Sequence, residues 1–285
     1  MQTLVSAWNE AKRRLEAGGI ESPVIDARLL VEAASGATRA DIIAEPRRPL
    51  SRLQTDTLEG YLKRREQREP VSHILGAKGF WKIMLRVTPD VLAPRPDTET
   101  ILDVVLPLFA ENEAFSVLDL GIGSGAILLA ILAERPAARG LGVDASDEAL
   151  AVARENAANL GLASRAALMH TDWTAGLGDG QFDLVVSNPP YIRSADLASL
   201  PPEVRDHEPR LALDGGRDGL RAYRALAPQI LRVLRPGGWF AVEFGLGQGE
   251  AVERLFAKAG ARELVVTRDL ATHERVLSGR KKALG

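Results

Sequence analysis

The sequence NPPY at residues 188–191 follows an apolar run, residues 182–187, that is typical of a buried strand. Proline lacks a backbone N–H and keeps the residue before it extended, so the chain leaves the sheet here in a stiff conformation. The side-chain amide of Asn188 and the carbonyl of Pro189 are then presented together, which suits holding a planar –NH2 group by its two protons. Tyr191 adds a flat face for stacking on a planar amide or base. A turn that only ends a strand is the alternative interpretation.

A glycine-rich segment, GIGSG at residues 121–125, lies between an apolar run and the start of an apolar helix. Glycines at alternate positions let the backbone turn tightly and approach a ligand at a helix N-terminus. The third glycine follows the second by two positions, unlike the three of a dinucleotide site, and Asp119 would repel a pyrophosphate. The segment therefore favours a cofactor with a cationic amino group, with helix capping or packing as the alternative role of Asp119.

Acidic residues also follow the next two predicted strands. Asp144 lies 23 residues after Gly121, where an acid commonly accepts hydrogen bonds from two ribose hydroxyls. Asp172 can accept a hydrogen bond from an adenine amino group, and Trp173 can cover the base. A helix N-cap is the alternative for Asp144, and core packing for Trp173. All these positions, with Asn188, follow the carboxyl ends of successive strands, where open α/β sheets bind ligands.

Short apolar runs alternate with helical stretches from residue 116 onward, which predicts a mostly parallel sheet with helices on both faces. Helical periodicity before this region predicts a small all-α bundle, including a helix capped by Ser22 and opened by Pro23. A period of two between residues 80 and 87 predicts a strand or hairpin. Strands are predicted near 116–120, 140–144, 166–170, 182–187, 238–244, 263–268 and 274–279, and helices near 97–110, 124–134, 147–160, 219–234 and 248–259.

Composition restricts the function classes. The chain of 285 residues is 46% apolar and 26% charged, which is typical of a globular protein with one large and one smaller domain. No apolar stretch approaches the ~20 residues of a membrane span, so a cytoplasmic protein without membrane contact is expected. The chain has no cysteine and only four well-separated histidines, so no metal site is expected. The net charge of −2, with +3 in residues 1–90 and −5 in the remainder, argues against direct nucleic-acid binding.

These motifs resemble those of the class I S-adenosylmethionine-dependent methyltransferases, and more narrowly the protein-glutamine methyltransferases that modify peptide-chain release factors. NPPY alone is shared with adenine and guanine methyltransferases. The combination is specific, because the segments LAPRPDTE at 92–99, EPRLAL at 208–213 and GGRDGL at 215–220 are also similar to that family. The resemblance implies an α/β fold with a Rossmann-like methyltransferase domain at residues 96–285, a β-hairpin linker at 76–95 and a helical substrate-docking domain at 1–75.

The resemblance implies methyl transfer from S-adenosylmethionine to the side-chain amide nitrogen of a glutamine in the Gly-Gly-Gln loop of release factors, leaving S-adenosylhomocysteine. The implied cofactor-binding residues are Asp119, Gly121, Ile122, Gly123, Ser124, Gly125, Asp144, Asp172, Trp173 and Asn188. The implied substrate-binding residues are Asn188, Pro189, Pro190 and Tyr191, of which Asn188, Pro189 and Tyr191 are catalytic. Phe80 or Trp81 is a candidate to close over the target side chain, with core packing as the alternative.

Other functions remain open at this point. A glutamine methyltransferase that acts on a ribosomal protein would use the same motifs. A nucleic-acid amino-methyltransferase is disfavoured by the charge balance and by the lack of an inserted target-recognition domain. A non-catalytic cofactor-binding protein is disfavoured because both halves of the site are intact. The expectation is a monomeric enzyme of translation termination with release factors as its partners.

Overall fold

The structure is a computed structural model that describes residues 2–283, and it contains two compact units. The first unit comprises the chain up to Ala77 together with Pro201–His207. The second comprises Lys78–Leu200 and the chain from Glu208 onward. This division differs from the predicted one in two ways. The hairpin that we predicted as a separate linker lies almost wholly in the second unit, and residues 201–207, predicted within the methyltransferase domain, belong to the first.

The first unit is helical, as predicted. Three of its helices begin with a capping box, in which the N-cap residue and the third helical residue exchange hydrogen bonds. The N-cap residues are Thr3, Thr38 and Ser51. The predicted cap at Ser22 is wrong, because its side chain makes no capping hydrogen bond and Pro23 alone presets the backbone of that helix. The helices are α1 (Leu4–Ala17), α2 (Pro23–Ser35), α3 (Arg39–Ala44), α4 (Arg52–Glu66) and α5 (Val71–Leu75).

Arg65 on α4 explains why residues 201–207 lie in this unit. Its Nε donates to Asp26 Oδ2 at 2.8 Å, and its Nη2 donates to Glu203 Oε1 at 3.1 Å. Glu203 belongs to a helical turn, Pro202–Arg205, far away in sequence. The Arg65 side chain is only 7% exposed, and a buried guanidinium needs such carboxylate partners. The ion pairs therefore hold the distant segment against α2 and α4.

The second unit contains the predicted hairpin and the predicted sheet. The hairpin pairs β1 (Ala77–Phe80) with β2 (Ile83–Arg86). The seven-stranded sheet has the order β5-β4-β3-β6-β7-β9-β8, in which β9 is antiparallel to both of its neighbours and the pairs from β5 to β7 are parallel. The mostly parallel sheet is thus confirmed. Its strands are β3 (Ser116–Leu120), β4 (Arg139–Asp144), β5 (Ala166–His170), β6 (Phe182–Ser187), β7 (Leu234–Glu243), β8 (Arg262–Arg268) and β9 (Glu274–Arg280).

The helices and strands of this unit are close to their predicted positions, with two differences. The helix predicted at 97–110 is a short α-helix between two 3-10 turns, Pro96–Thr98 and Leu106–Leu108; proline within each turn lacks the N–H of a regular helix. Strand β7 begins earlier than predicted, and Gly237 adopts φ 77° inside it. The helices longer than four residues are α6 (Glu99–Val105), α7 (Ala126–Glu134), α8 (Asp147–Asn159), α9 (Arg221–Val233) and α10 (Gly249–Ala259), and Arg210–Leu213 forms one further helical turn.

Alternating residues of β3 show how the sheet is covered on both faces. Val117 packs in one apolar cluster with residues of α6, α7 and α8. Leu118 and Leu120 pack in another with residues of α9 and α10. Side chains of a strand alternate between faces, so the central strand is buried from both sides. A ligand can therefore reach this part of the sheet only at a strand end.

No helix of residues 2–283 is long and apolar enough to cross a membrane.

Candidate active site

A cavity of about 780 Å³ lies in the second unit, at the carboxyl ends of β3 to β6. The order of the sheet runs outward from β3 in one direction through β4 and in the other through β6, so this is the topological switch point where open sheets bind ligands. Most of the predicted site residues line the cavity: Gly121, Ile122, Gly123, Ser124, Asp144, Asp172, Trp173, Asn188, Pro189 and Pro190. The predicted residues that are not on its wall are Asp119, Gly125 and Tyr191.

The glycine-rich segment forms one wall because its backbone requires glycine. Gly121 and Gly123 have φ values of 75° and 53°, in the left-handed region that other residues rarely adopt. A Cβ added to Gly123 would meet no atom within 4 Å. The backbone here borders open space, as a close approach to a ligand requires.

Asp144 is held rigidly beside this loop. Its Oδ2 accepts a hydrogen bond from Gly123 N at 2.9 Å, and its Oδ1 accepts one from Ser146 N at 3.0 Å. The N-cap of α8 is Ser146, whose Oγ accepts from Ala149 N. Asp144 therefore does not cap the helix, and each of its carboxylate oxygens retains a lone pair for a ligand.

Asp172 and Trp173 form the next part of the wall. A Cβ added to Gly121 would lie 3.6 Å from the Trp173 ring, so the ring covers the glycine loop. Trp173 has φ 51° and is half-buried, packing against the α9 and α10 cluster while also lining the cavity. The Trp173 ring thus packs against the core and also borders the cavity. The Asp172 side chain is exposed at the cavity.

Asn188 and Pro189 form the opposite side, at the end of β6. The Asn188 Nδ2 donates to Thr98 Oγ1 at 3.0 Å. Within residues 2–283, no donor hydrogen-bonds to the Asn188 Oδ1 or to the Pro189 carbonyl. Two acceptors on one cavity wall are therefore left available for the protons of a ligand.

The structure does not place Asp119 on the cavity wall. Its side chain is fully buried, and Oδ2 accepts a hydrogen bond from Leu128 N at 3.2 Å, which joins β3 to α7. Oδ1 has no hydrogen-bond partner in the described part of the chain. Burial raises the pKa of Asp119 to about 8, and the nearby Asp144 contributes to the increase. The packing alternative describes this residue better than direct contact with a cofactor.

Tyr191 also departs from its expected position. Its ring packs against the α9 and α10 cluster, and its hydroxyl donates to Glu243 Oε1 at 3.2 Å. Burial raises the pKa of the Tyr191 phenol above its usual value. Unlike Trp173, Tyr191 is not on the cavity wall. The predicted stacking of its ring on a ligand in this cavity is therefore corrected, and Tyr191 instead supports the end of β6 through its packing and its hydrogen bond.

The remaining differences concern aromatic and glycine residues. Phe80 is 1% exposed in the core, and Trp81 donates from Nε1 to Glu134 Oε1 at 3.1 Å, so neither lines the cavity. The core-packing alternative is correct for Phe80. Gly125 has φ 87° at the N-cap of α7, and an added Cβ would lie 2.8 Å from Leu129. It is needed for the turn into the helix.

Two residues that sequence reasoning did not single out lie behind the Asn188 wall. Thr98 is 4% exposed, borders the cavity and accepts the Asn188 hydrogen bond. Glu243, at the end of β7, is 1% exposed. Burial raises the pKa of Glu243 to about 7, although the Thr98 hydroxyl and the charge of Arg275 lower it. Thr98 stands within the segment at 92–99 that carried the resemblance, whereas no local signal marks Glu243.

An ion pair joins residues 92–99 to residues 208–213, the two segments that lie before and after NPPY at 188–191 and that also carried the family resemblance. Arg95 Nη2 donates to both carboxylate oxygens of Glu208, at 2.8 and 2.6 Å. The Glu208 side chain is 1% exposed, and burial raises its pKa while Arg95 lowers it. Leu92 and Leu211, close to the paired residues, line the cavity. The pair holds these two segments beside the site.

Within residues 2–283, no group of three or more His, Cys, Asp or Glu side chains could hold a metal ion.

The fold and the matching family models define a methyltransferase. Residues 97–200 match the methyltransferase small domain, and residues 6–76 match the PrmC N-terminal domain. A solved methyltransferase from Pyrococcus furiosus has a similar fold, with a TM-score of 0.52 and 19% identity over 70% of this chain and 88% of that one.

Two relatives identify the family more narrowly. A release factor glutamine methyltransferase of Caulobacter vibrioides is 64% identical, over 99% of this chain and 98% of the relative. One of Rhodospirillum rubrum is 47% identical, over 95% of this chain and 83% of the relative. The chain belongs to the release factor glutamine methyltransferase family, and it is an enzyme.

Proposed function

We propose that this enzyme transfers a methyl group from S-adenosylmethionine to the side-chain amide nitrogen of a glutamine in a peptide-chain release factor, leaving S-adenosylhomocysteine. The observation that carries the proposal is the pair of available acceptors, Asn188 Oδ1 and the Pro189 carbonyl, on the wall of the cavity. A primary amide has two N–H protons, and these two acceptors match them. The names of the relatives support the release factor as the source of the amide.

The residues on the opposite wall fit S-adenosylmethionine. The cavity of about 780 Å³ lies within the range of about 300–1,000 Å³ found for small-molecule sites. Asp144 would accept hydrogen bonds from the ribose hydroxyls, Trp173 would cover the adenine, and the backbone at Gly121 and Gly123 would border the methionine part. Asp172, exposed on the wall, would accept a hydrogen bond from the adenine amino group. When bound, this cofactor supplies a methyl group that its sulfonium charge has already activated.

The protein's own contribution is to orient the amide. An amide nitrogen is a poor nucleophile because its lone pair is delocalised into the carbonyl. Asn188 Oδ1 and the Pro189 carbonyl would hold both N–H groups so that the lone pair faces the methyl group. The same acceptors stabilise the positive charge that develops on the nitrogen, and they cost little reorganisation because the Pro189 backbone is rigid. The nitrogen then releases one proton, and no general base is needed on the wall.

We also propose that the helices of the first unit dock the protein substrate. Residues 6–76 match a family-specific domain, whereas every proposed cofactor residue lies in the second unit. Release factors act on ribosomes, so the enzyme would work in the cytoplasm.

Incubation with radiolabelled S-adenosylmethionine and a purified release factor, followed by mass mapping, tests the proposed function. We expect one methyl group on the glutamine of the Gly-Gly-Gln loop, and none on a release factor in which that glutamine is replaced by alanine. Label on a different residue would contradict the proposal. A ribosomal protein in a parallel reaction tests the main alternative, and label on its glutamine alone would transfer the assignment to that substrate.

A further inference from the structure

We propose that Thr98 is a positioning residue that orients the Asn188 side chain. The proposal rests on the proposed function, since it explains how the Asn188 oxygen is directed at an amide. The contact that carries it is the hydrogen bond between Asn188 and Thr98, two residues that both border the cavity.

An asparagine side chain can turn about its terminal bond and exchange the positions of its oxygen and nitrogen. Only one of these orientations presents an acceptor to the cavity. The 3.0 Å hydrogen bond from Asn188 Nδ2 to Thr98 Oγ1 selects that orientation, because it occupies the amino group and leaves Oδ1 available. Without an acceptor at residue 98, either orientation would be permitted.

The Thr98 hydroxyl has no capping role in α6. Thr98 ends the 3-10 turn Pro96–Thr98 and continues into α6 with helical backbone angles, φ −66° and ψ −22°, whereas a capping residue is typically extended. Its side chain makes no capping hydrogen bond. The hydroxyl instead accepts from Asn188, which lies 90 residues away in the chain.

The first test is Thr98→Val, which keeps the branched shape but removes the hydroxyl. Loss of one orienting hydrogen bond should lower kcat by about tenfold, with little change in the affinity for S-adenosylmethionine. Thr98→Ser should restore most of the rate. Thr100→Val is the matched control, since Thr100 is also buried on α6 but makes no hydrogen bond with Asn188. A Thr98→Val rate within twofold of the parent would overturn the proposal.

A double variant separates positioning from direct contact, because Thr98 also borders the cavity. If Thr98 acts through Asn188, Thr98→Val should cost nothing further in an Asn188→Ala background. An equal, additive loss in both backgrounds would show direct contact with the ligand and would contradict the positioning role.

A measurement without catalysis distinguishes failure of this inference from failure of the proposed function. In NMR spectra of the full chain, the Asn188 side-chain –NH2 signals are identified by their absence from Asn188→Ala. We expect slowed exchange with solvent for the proton bound to Thr98 in the parent, and faster exchange in Thr98→Val. Unchanged exchange in the variant would overturn the inference, whatever substrate the enzyme modifies.

Discussion

The two walls of the cavity are built in different ways. On the glycine-loop wall, Asp144 is held by backbone N–H groups 21 and 2 residues away in the chain. On the Asn188 wall, the side-chain contact of Asn188 spans 90 residues, and that of the supporting Tyr191 spans 52. Backbone N–H groups at most 21 residues away hold the first wall, whereas side-chain contacts between segments at least 52 residues apart hold the second. The second wall should therefore be the more sensitive to single side-chain changes.

Replacing Asn188 by Ala gives the largest expected effect. The variant keeps the proline turn but loses the acceptor that acts on the developing charge, so kcat should fall by about 100- to 1,000-fold. Affinity for S-adenosylmethionine, measured by calorimetry, should barely change. Asn159→Ala, an exposed position on α8, is the matched control. A folded, cofactor-binding Asn188→Ala enzyme with a rate within a few-fold of the parent would remove the distinction between the walls.

Asp144→Ala tests the glycine-loop wall. Loss of a carboxylate that accepts two hydroxyls should weaken cofactor binding by about 10- to 100-fold, while loss of its two backbone partners should cost about 1–2 kcal/mol of stability. Calorimetric titration and denaturant unfolding measure the two effects separately. Asp147→Ala is the control, since its side chain is 75% exposed. Unchanged affinity would show that this wall does not bind the ribose.

Asp119→Asn examines the buried carboxyl behind the glycine-loop wall. Burial raises the pKa of Asp119 from its ordinary value of 3.8 to about 8 in the folded chain, so the folded state holds an extra proton between these pH values. The unfolding free energy should therefore fall as pH rises through that window, by up to about 1.4 kcal/mol per pH unit from this group. The variant should lose this contribution to the slope.

Denaturant unfolding at several pH values between 4 and 8 checks the Asp119 prediction. Glu243 titrates in the same direction in both proteins, so only the difference in slope is assigned to Asp119. Cofactor affinity should change far less than in Asp144→Ala, because Asp119 is not on the cavity wall. Identical slopes in parent and variant would contradict the assignment, and a large loss of affinity would restore a direct role in binding.

Ser146→Ala gives the smallest expected effect. It removes the hydroxyl that caps α8 but leaves the backbone N–H that Asp144 accepts. A lost N-cap typically costs about 1 kcal/mol, so the unfolding free energy should fall by that amount with cofactor affinity nearly unchanged. A tenfold loss of affinity would mean that the cap itself holds Asp144 in place.

Much of the cavity could be predicted from the residues because its main features are local. The glycine spacing, the acid after β4 and the prolines after β6 each act through backbone conformation over a few residues. Since parallel strands carry their carboxyl ends to one edge, the order of elements also brings these sites together. The sheet, its helices and most of the lining residues follow from such patterns.

The tertiary structure alone decided which polar side chains face the cavity. Asp119 and Tyr191 belong to the predicted motifs, but close packing against α7 and against Glu243 removes them from the wall. Thr98 and residues 201–207 were placed by partners far along the chain, at Asn188 and Arg65. A side chain's direction depends on what its neighbours leave unfilled and unpaired, and those neighbours are specified only when the chain is folded.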